Sequence, residues 1–345
     1  MSKSTINNKC KNCAGELVFD PDSGELKCLQ CETIVDIPEL NTIAPKKPYG
    51  PNSELEKSES EYAQYHCETC GRKHIVPSSQ EVINCPSCGD PTNLTRTVNV
   101  EYIPDAIIPF KLNKEKALNC FKDWIRGRKF APNNLKKLAK TEFITGMYLP
   151  IYNYDFDTIT HYSGVGVNTY TDSNNRRHTT RHPFRSSRAD KYTNYVDSAN
   201  SLIPSKTLRE IANFDFNKCC VYRTEFLYGW IGSEINIELH DSSNRIRISA
   251  AEEIKQNVRR SLNYDRIENF VCNTTFSNMR YNHLYIPLYT SNYKYKDKTY
   301  NCYINGITGK VSGKAPKSGW KIFFTVLFFG ALIAGGVYLL GLSGL

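Results

Sequence analysis

Hydrophobic and polar positions follow different rhythms along the 345-residue chain, and the plainest rhythm is at its end. Ile322 to Leu342 is a run of 21 residues without a charged side chain. As a helix rising 1.5 Å per residue it would reach about 32 Å, enough for a hydrocarbon core of about 30 Å. The run is apolar all round, so it predicts one C-terminal transmembrane helix over 320–342 and not an amphipathic core helix. Trp320 stands where an indole suits the headgroup layer. Gly330, Gly335, Gly336 and Gly341 are of a kind common in membrane helices, but no two make a GxxxG pair. Lys314, Lys317 and Lys321 precede the span, and no charged side chain follows it. The positive-inside rule then predicts a single-pass tail anchor in the cell membrane, with the N-terminal domains in the cytoplasm.

Residues 100–312 alternate between helical and strand periods, which predicts an α+β domain with an antiparallel sheet. Asn113 can cap a helix whose Ala117, Leu118, Phe121, Trp124 and Ile125 share one face. Ser249-Ala250-Ala251-Glu252 reads as a capping box opening a helix with Ile254, Val258 and Leu262, and Ser205 as the cap of a shorter one through Ile211. Strand-like runs cover Phe143–Tyr154, Phe156–Tyr162, Ile235–Leu239 and Thr299–Ile304, with a turn signal at Asn305-Gly306. Tyr148-Leu149-Pro150-Ile151-Tyr152 resembles Tyr285-Ile286-Pro287-Leu288-Tyr289, as if two related β units formed one domain. The proline inside each run points to an edge or a bulge.

One segment has no apolar period. Tyr170 to Lys191 is polar and basic, with Arg176, Arg177, Arg181, Arg185 and Arg188 beside His178 and His182. It reads either as a solvated loop or as an anion-binding surface for phospholipid headgroups, nucleic acid or an acidic partner.

The front of the chain is set by cysteine. Cys10 and Cys13 form one C-x-x-C pair, and Cys28 and Cys31 a second, fourteen residues on. Cys67, Cys70, Cys85 and Cys88 repeat the set 57 positions later. A two-residue gap lets two thiolates from one tight turn reach one ion, and two such knuckles complete a tetrahedral S₄ site suited to zinc or iron. The pattern predicts two N-terminal four-cysteine zinc ribbons, 1–40 and 63–92, joined by a flexible linker over 41–62, each holding one structural Zn²⁺. A filled S₄ set leaves no open ligand position, so His66 and His74 are expected to face solvent. Glu16–Lys27 is expected to form a hairpin about Asp22-Ser23-Gly24, and Gly71 and Gly89 to supply positive φ at the second ribbon's knuckles. The polar start MSKSTINNKC lacks a secretory h-region, which places the thiols in a reducing compartment and favours metal over disulfides.

Charge then changes the picture of what the ribbons touch. The whole chain is +9, but residues 1–90 hold nine Lys and Arg against fourteen Asp and Glu, leaving +14 for the rest. Metal-bound thiolates would make the front more acidic still. An acidic front disfavours phosphate backbones and favours protein partners; a basic remainder suits the negative cytoplasmic leaflet. No Gly-rich phosphate loop, G-x-S-x-G or metalloprotease motif is present. Asp155 with Asp157, and Cys219 with Cys220, are weak candidates for chemistry, the cysteines reading better as buried structure.

Together, the double C-x-x-C-x₁₄-C-x-x-C front, Ile108-Pro109-Phe110-Lys111, the Trp124 helix, Gly146–Tyr152, Tyr228-Gly229-Trp230, the closing Asn305–Gly313 and the terminal span resemble bacterial membrane proteins described as TFIIB-type zinc-ribbon-containing proteins. Some relatives carry the description of a primosomal N′ or replication-restart helicase, but this chain has no Walker A sequence or helicase core. In some Gram-positive bacteria similar proteins look to be encoded beside a phage-shock-protein-A homologue and a virion-core-like protein. The resemblance implies a membrane platform that recruits cytosolic partners during envelope stress. The expectation is therefore a non-enzymatic zinc-ribbon membrane adaptor for cytosolic proteins, in contact with membrane lipids. The alternative is a membrane-tethered nucleic-acid-binding protein.

Overall fold

The computed structural model describes residues 8–37, 45–55, 63–76, 82–88, 90–93, 102, 104–132, 135, 144–295 and 298–342. The first ribbon is a three-stranded meander, β1 (Leu17–Asp20), β2 (Glu25–Cys28) and β3 (Ile34–Val35). Its hairpin closes as expected: Asp20 pairs with Glu25, and the Asp20 carboxylate accepts from Ser23 N at 3.1 Å. A short strand β4 (Lys47–Pro48) follows, then the second ribbon with β5 (Ala63–His66), β6 (Lys73–Val76), β7 (Val82–Asn84) and β8 (Pro91–Asn93).

The α+β domain begins with β9 (Ala106–Ile107) and helix α1 (Lys114–Arg126). The Asn113 side chain accepts from Lys116 N, and Ala117, Leu118, Phe121 and Ile125 are buried, as the 3.6 period predicts. Then come β10 (Ile144–Thr171), β11 (Arg177–Ser198), helix α2 (Ser205–Ile211), β12 (Cys220–Val221), β13 (Ile231–Ser233), helix α3 (Leu239–Ser261), β14 (Arg266–Tyr295), β15 (Lys298–Asn305), β16 (Val311–Gly313) and helix α4 (Gly319–Leu342). The sheet is mixed and not purely antiparallel: β13 runs parallel to β10, and β9 parallel to β14.

Four local expectations shift. The presumed capping box at Ser249 lies inside α3, because Leu239, Ser242, Ile246 and Ala250 extend the buried stripe ten residues toward the N-terminus. Consequently Ile235–Leu239 is not a strand but the approach to that helix. The short helix starts at Ser205 with Pro204 in the cap position. The segment 170–191 is not a loop: β10 and β11 form a hairpin continuously paired from Phe156↔Tyr192 to Thr171↔Arg177.

The two Tyr-Pro-Tyr runs become neighbours at the centre of the sheet, with Leu149 opposite Ile286 and Pro150 opposite Tyr285. Neither proline marks an outer edge. On its side away from β14, β10 pairs with β13 at Met147–Tyr148 and with β11 from Ile151 onward. Pro150 sits where one partner gives way to the other. β14 changes from β9 at Leu284–Tyr285 to β15 from Leu288, with Pro287 in the gap. A residue without an amide N–H fits where the ladder has no partner to accept one. The carbonyls are still used: Ala199 N donates to Pro150 O and Gly306 N to Pro287 O, both at 3.0 Å.

Among the described residues, three apolar clusters flank this sheet. One joins ribbon residues Leu17, Phe19 and Leu26 to α1, Tyr148 and Tyr289. A second lies under α2 and holds Leu149, Ile286, Leu208 and Ile211. The third packs α3 on Tyr152, Tyr154 and Phe156. Buried Asp197 fastens α3 there, accepting from Arg245 Nη2 at 2.6 Å and Ser242 Oγ at 2.8 Å. Past this body β11, β10 and β14 continue as a three-stranded arm. As three strands it runs from Asp155 to Val167, about 40 Å at 3.3 Å per residue, and β10 and β11 go on as a two-stranded tip to Thr171.

Helix α4 is 24 residues long and unburied over Gly319–Gly336, long and apolar enough to cross a membrane. It is fixed at its start: Ser318 N donates to Phe130 O and Lys321 Nζ to Ala131 O, both at 2.8 Å.

Candidate metal centres

Each C-x-x-C turn is shaped by backbone. Cys10 O accepts from Ala14 N at 2.8 Å, Cys67 O from Gly71 N at 2.8 Å, and Cys28 O from Glu32 N at 3.1 Å. The residue closing each turn is left-handed: Gly71 has φ 70°, while Ala14 and Glu32 hold φ 57° and 58° at the cost of Cβ crowding. Gly89, the equivalent of Glu32, lies outside the described residues.

These turns bring the eight cysteines predicted as ligands into two groups of four. Within each group, Cys10, Cys13, Cys28 and Cys31 or Cys67, Cys70, Cys85 and Cys88, all sulfurs lie within 4.8 Å of one another. The Sγ separations are 3.6 Å for Cys10–Cys31, 3.5 Å for Cys13–Cys28, 3.6 Å for Cys67–Cys88 and 3.7 Å for Cys70–Cys85. Four sulfurs about 2.3 Å from a tetrahedral ion stand about 3.8 Å apart, so the sets fit a metal of that size. All eight are free thiols, and both groups are four-cysteine sites able to hold metal ions.

Backbone amides face the sulfurs: Asn12 N lies 3.4 Å from Cys10 Sγ, Gly15 N 3.4 Å from Cys13 Sγ, and Ser87 N 3.4 Å from Cys85 Sγ. Such donors offset thiolate charge. The Thr33 hydroxyl, then its amide, holds the Cys31 thiol down to about 6, while burial pushes Cys85 up to about 11. The first site is the more open, with Cys13 and Cys31 exposed.

His74 differs from its sequence-based reading. It is 1% exposed, with Nε2 3.5 Å from both Cys85 Sγ and Ser87 Oγ. Burial, helped by Arg72, brings it down to about 4, so it is a neutral imidazole beside the second sulfur set. It is not a fifth ligand but a neighbour oriented onto one. The alternation of β6, which pairs Ser233↔His74 into the main sheet, turns it inward. Strand pairing of that kind leaves no mark in cysteine spacing.

The ribbons are not independent beads. Phe19 packs edge-on against Phe226 at 5.4 Å, its amide donates to Tyr228 O, and Trp230 Nε1 donates to Phe19 O at 3.0 Å. The second ribbon extends the sheet through Gly232↔Ile75, and its Pro86 carbonyl accepts from Thr290 Oγ1 and Asn292 Nδ2 at 2.8 and 2.9 Å. Part of the linker is fixed too. Lys46 Nζ reaches Asp155 and Asn194, and Lys47 lies 2.8 Å from Asp105.

The candidate anion-binding arginines divide. Arg177, Arg181 and Arg185 lie at alternate positions of β11 and share one face of the arm. Arg188 points to the other face, where it pairs with Asp190, and Arg176 sits in the hairpin turn. Asp155 and Asp157 are no acid–base pair: Lys46 takes the first and Asn278 Nδ2 the second. Cys219 is buried and Cys220 half-buried.

The chain is similar to the uncharacterized protein YdjG of Bacillus subtilis (strain 168). They are 24% identical over 342 residues, covering 97% of this chain and 96% of the relative. No family model matches. No solved structure matches either.

Proposed function

We propose that this chain is a non-enzymatic, zinc-loaded adaptor, anchored in the cell membrane by α4 with its ribbons in the cytoplasm, where they recruit cytosolic proteins. The observation that carries the reading is the joining of two closed four-cysteine sets to a body whose last helix is apolar and unburied. Zinc is the metal of choice for a closed tetrahedral thiolate set with a structural role. Bound there, it would be held by Cys10, Cys13, Cys28 and Cys31, and by Cys67, Cys70, Cys85 and Cys88. Its contribution is folding energy, since neither ribbon has a core of its own. Lys314, Lys317 and Lys321 before α4 support a cytoplasmic body.

The test is the full-length double variant Cys67→Ser/Cys70→Ser in native membranes. Zinc should fall from two equivalents to one, the protein should stay in the membrane fraction, and the cytosolic proteins cross-linked to the wild type should be lost. Unchanged partner recovery at one zinc equivalent overturns the recruiting role of the second ribbon.

A further inference from the structure

The arm presents two unlike faces. Even-numbered positions of β10 face α3, whose Ile246 and Ala250 cluster with Tyr154 and Phe156, with Phe276 of β14 packed against them. Beyond the end of α3 this face is closed by rings. Tyr264 lies so flat over Gly166 that a Cβ there would stand 2.4 Å from it, and Phe184 stacks on Tyr264 at 5.7 Å. One face of the three strands is therefore covered to within a few residues of the hairpin turn.

The odd-numbered face is open along its middle, from Ile159 to Val165, and closes only near the tip, where Val167 is 2% exposed. Its middle column, on β10, reads Ile159, His161, Ser163, Val165 and Val167. Ile159 and, next to Ser163 on β14, Val271 are each 51% exposed. Beside this column β11 places Arg177, Arg181 and Arg185 about 13 Å apart, with Lys191 further along. Arg266 joins from β14. Against these five cations stand two carboxylates, Asp157 and Glu268, and Glu268 already lies near Arg181 and Arg266. Arg177 and Arg185 are in no ion pair among the described residues.

We propose that this open face of the arm docks an acidic amphipathic helix of a partner protein, laid along β10 with its apolar side on Ile159, Val165 and Val271 and its carboxylates toward Arg177, Arg181 and Arg185. The inference rests on the adaptor reading in taking the partner to be a protein. Layered folds cover a sheet by helices on its apolar faces, and α3 already does so on the other side of these strands. Charge selects the sign of the partner and excludes a second copy face to face, which would set one arginine row against another. Apolar contact between the cations selects a helix with an apolar stripe over a bare polyanion. Nucleic acid is disfavoured by the rings on this face, which are limited to His161, leaving bases no stacking platform.

The experiment uses full-length, zinc-loaded protein in neutral nanodiscs. The probe is a fluorescent 21-residue peptide with leucines at helical spacing and glutamates on the flanks, its binding read by anisotropy. The expected result is saturable binding at physiological salt, tenfold or more tighter than a scrambled peptide of the same composition. Arg177→Glu/Arg185→Glu should weaken it at least tenfold, and the same variant should gain at least tenfold for the peptide with lysine in place of glutamate. That charge-swap rescue would show the arm is still folded. Ile159→Asp should weaken binding similarly, while Ile159→Val should not. Equal binding of the scrambled peptide, no binding of either, or displacement by a 20-nucleotide RNA at lower concentration than unlabelled peptide overturns the proposal. So does displacement by phosphatidylserine nanodiscs but not neutral ones. Cys67→Ser/Cys70→Ser should leave peptide binding unchanged, so the arm and the ribbon can fail separately.

Discussion

The two ribbons have the same cysteine spacing, the same knuckle turns and the same sulfur geometry, yet they are held to the body by different physics. The first is held mainly by side-chain burial, with two hydrogen bonds to the Phe19 backbone: Phe19 and Leu17 enter a core shared with α1 and Phe226. The second is held mainly by backbone pairing of β6 with β13 and by the Pro86 carbonyl. The first sulfur set is also half open, while each cysteine of the second is buried or partly buried and Cys85 is backed by His74. A metal knuckle fixes its own few residues and leaves the way a ribbon docks to whatever flanks it.

That contrast can be broken from either side. Phe19→Ala should have the largest effect, costing about 3–5 kcal/mol by truncating a side chain 2% exposed. Denaturation of the metal-loaded protein would show it, with both metal ions retained at low denaturant. Ile75→Ala, at a residue 4% exposed on β6, should cost about 2–4 kcal/mol and loosen the second ribbon alone. Hydrogen exchange at the β6–β13 amides would read that loosening, and faster exchange around Phe19 instead would contradict it.

The metal sites themselves should separate under a chelator. The first, with exposed Cys13 and Cys31, should empty before the second. His74→Phe should weaken the second site about 10–100-fold in metal affinity and leave the first unchanged, as removing an oriented neighbour of a ligand does. Loss from both sites together would show them coupled. A smaller contrast lies in the turns: Ala14→Gly should stabilise the first ribbon by about 1 kcal/mol, and Gly71→Ala should destabilise the second by about the same. Thermal melts of the paired variants check the two signs.

The smallest effect is at the tip of the first hairpin. There the Lys116 ammonium, then the Asn113 amide, holds the Asp22 carboxyl below its ordinary range. A carboxyl lowered on folding contributes stability above its unfolded value of about 4, and that contribution fades as pH falls through the lowered one. Asp22→Asn should thus flatten a shallow acid dependence of the α1 contact without moving neutral-pH stability much, since the pair is exposed. Line shapes of the Lys116 amide between pH 2 and 5 would reveal it.

Much of the metal sets was legible in the chain because a C-x-x-C pair is a local device. Two residues between thiols dictate one turn, and the 57-residue repeat marks the second set. Helix α1 was legible for the same reason, its cap and stripe lying within fourteen residues. α3 was misread at its start because Ser249 to Glu252 fits a cap as well as it fits a helix interior. Only the burial of Leu239, Ser242 and Ile246 against the sheet decides between them. His74 was misplaced because its burial depends on β13, more than 150 residues away.

The sequence by itself determined what needs only neighbours: the sulfur sets, the apolar length of α4, the hairpin at Ser23 and the acidic-to-basic polarity of the chain. The tertiary structure decided everything that rests on distant backbone. It made partners of Tyr148–Tyr152 and Tyr285–Tyr289, set each proline where a strand changes partner, and turned a polar arginine-rich segment into the outer strand of an arm. A strand gains its stability from a ladder with residues far along the chain, and its side chains alternate by two whatever their chemistry. With one face open to water and the other closed by a helix and a few rings, 170–191 needs no apolar period of its own, and so showed none.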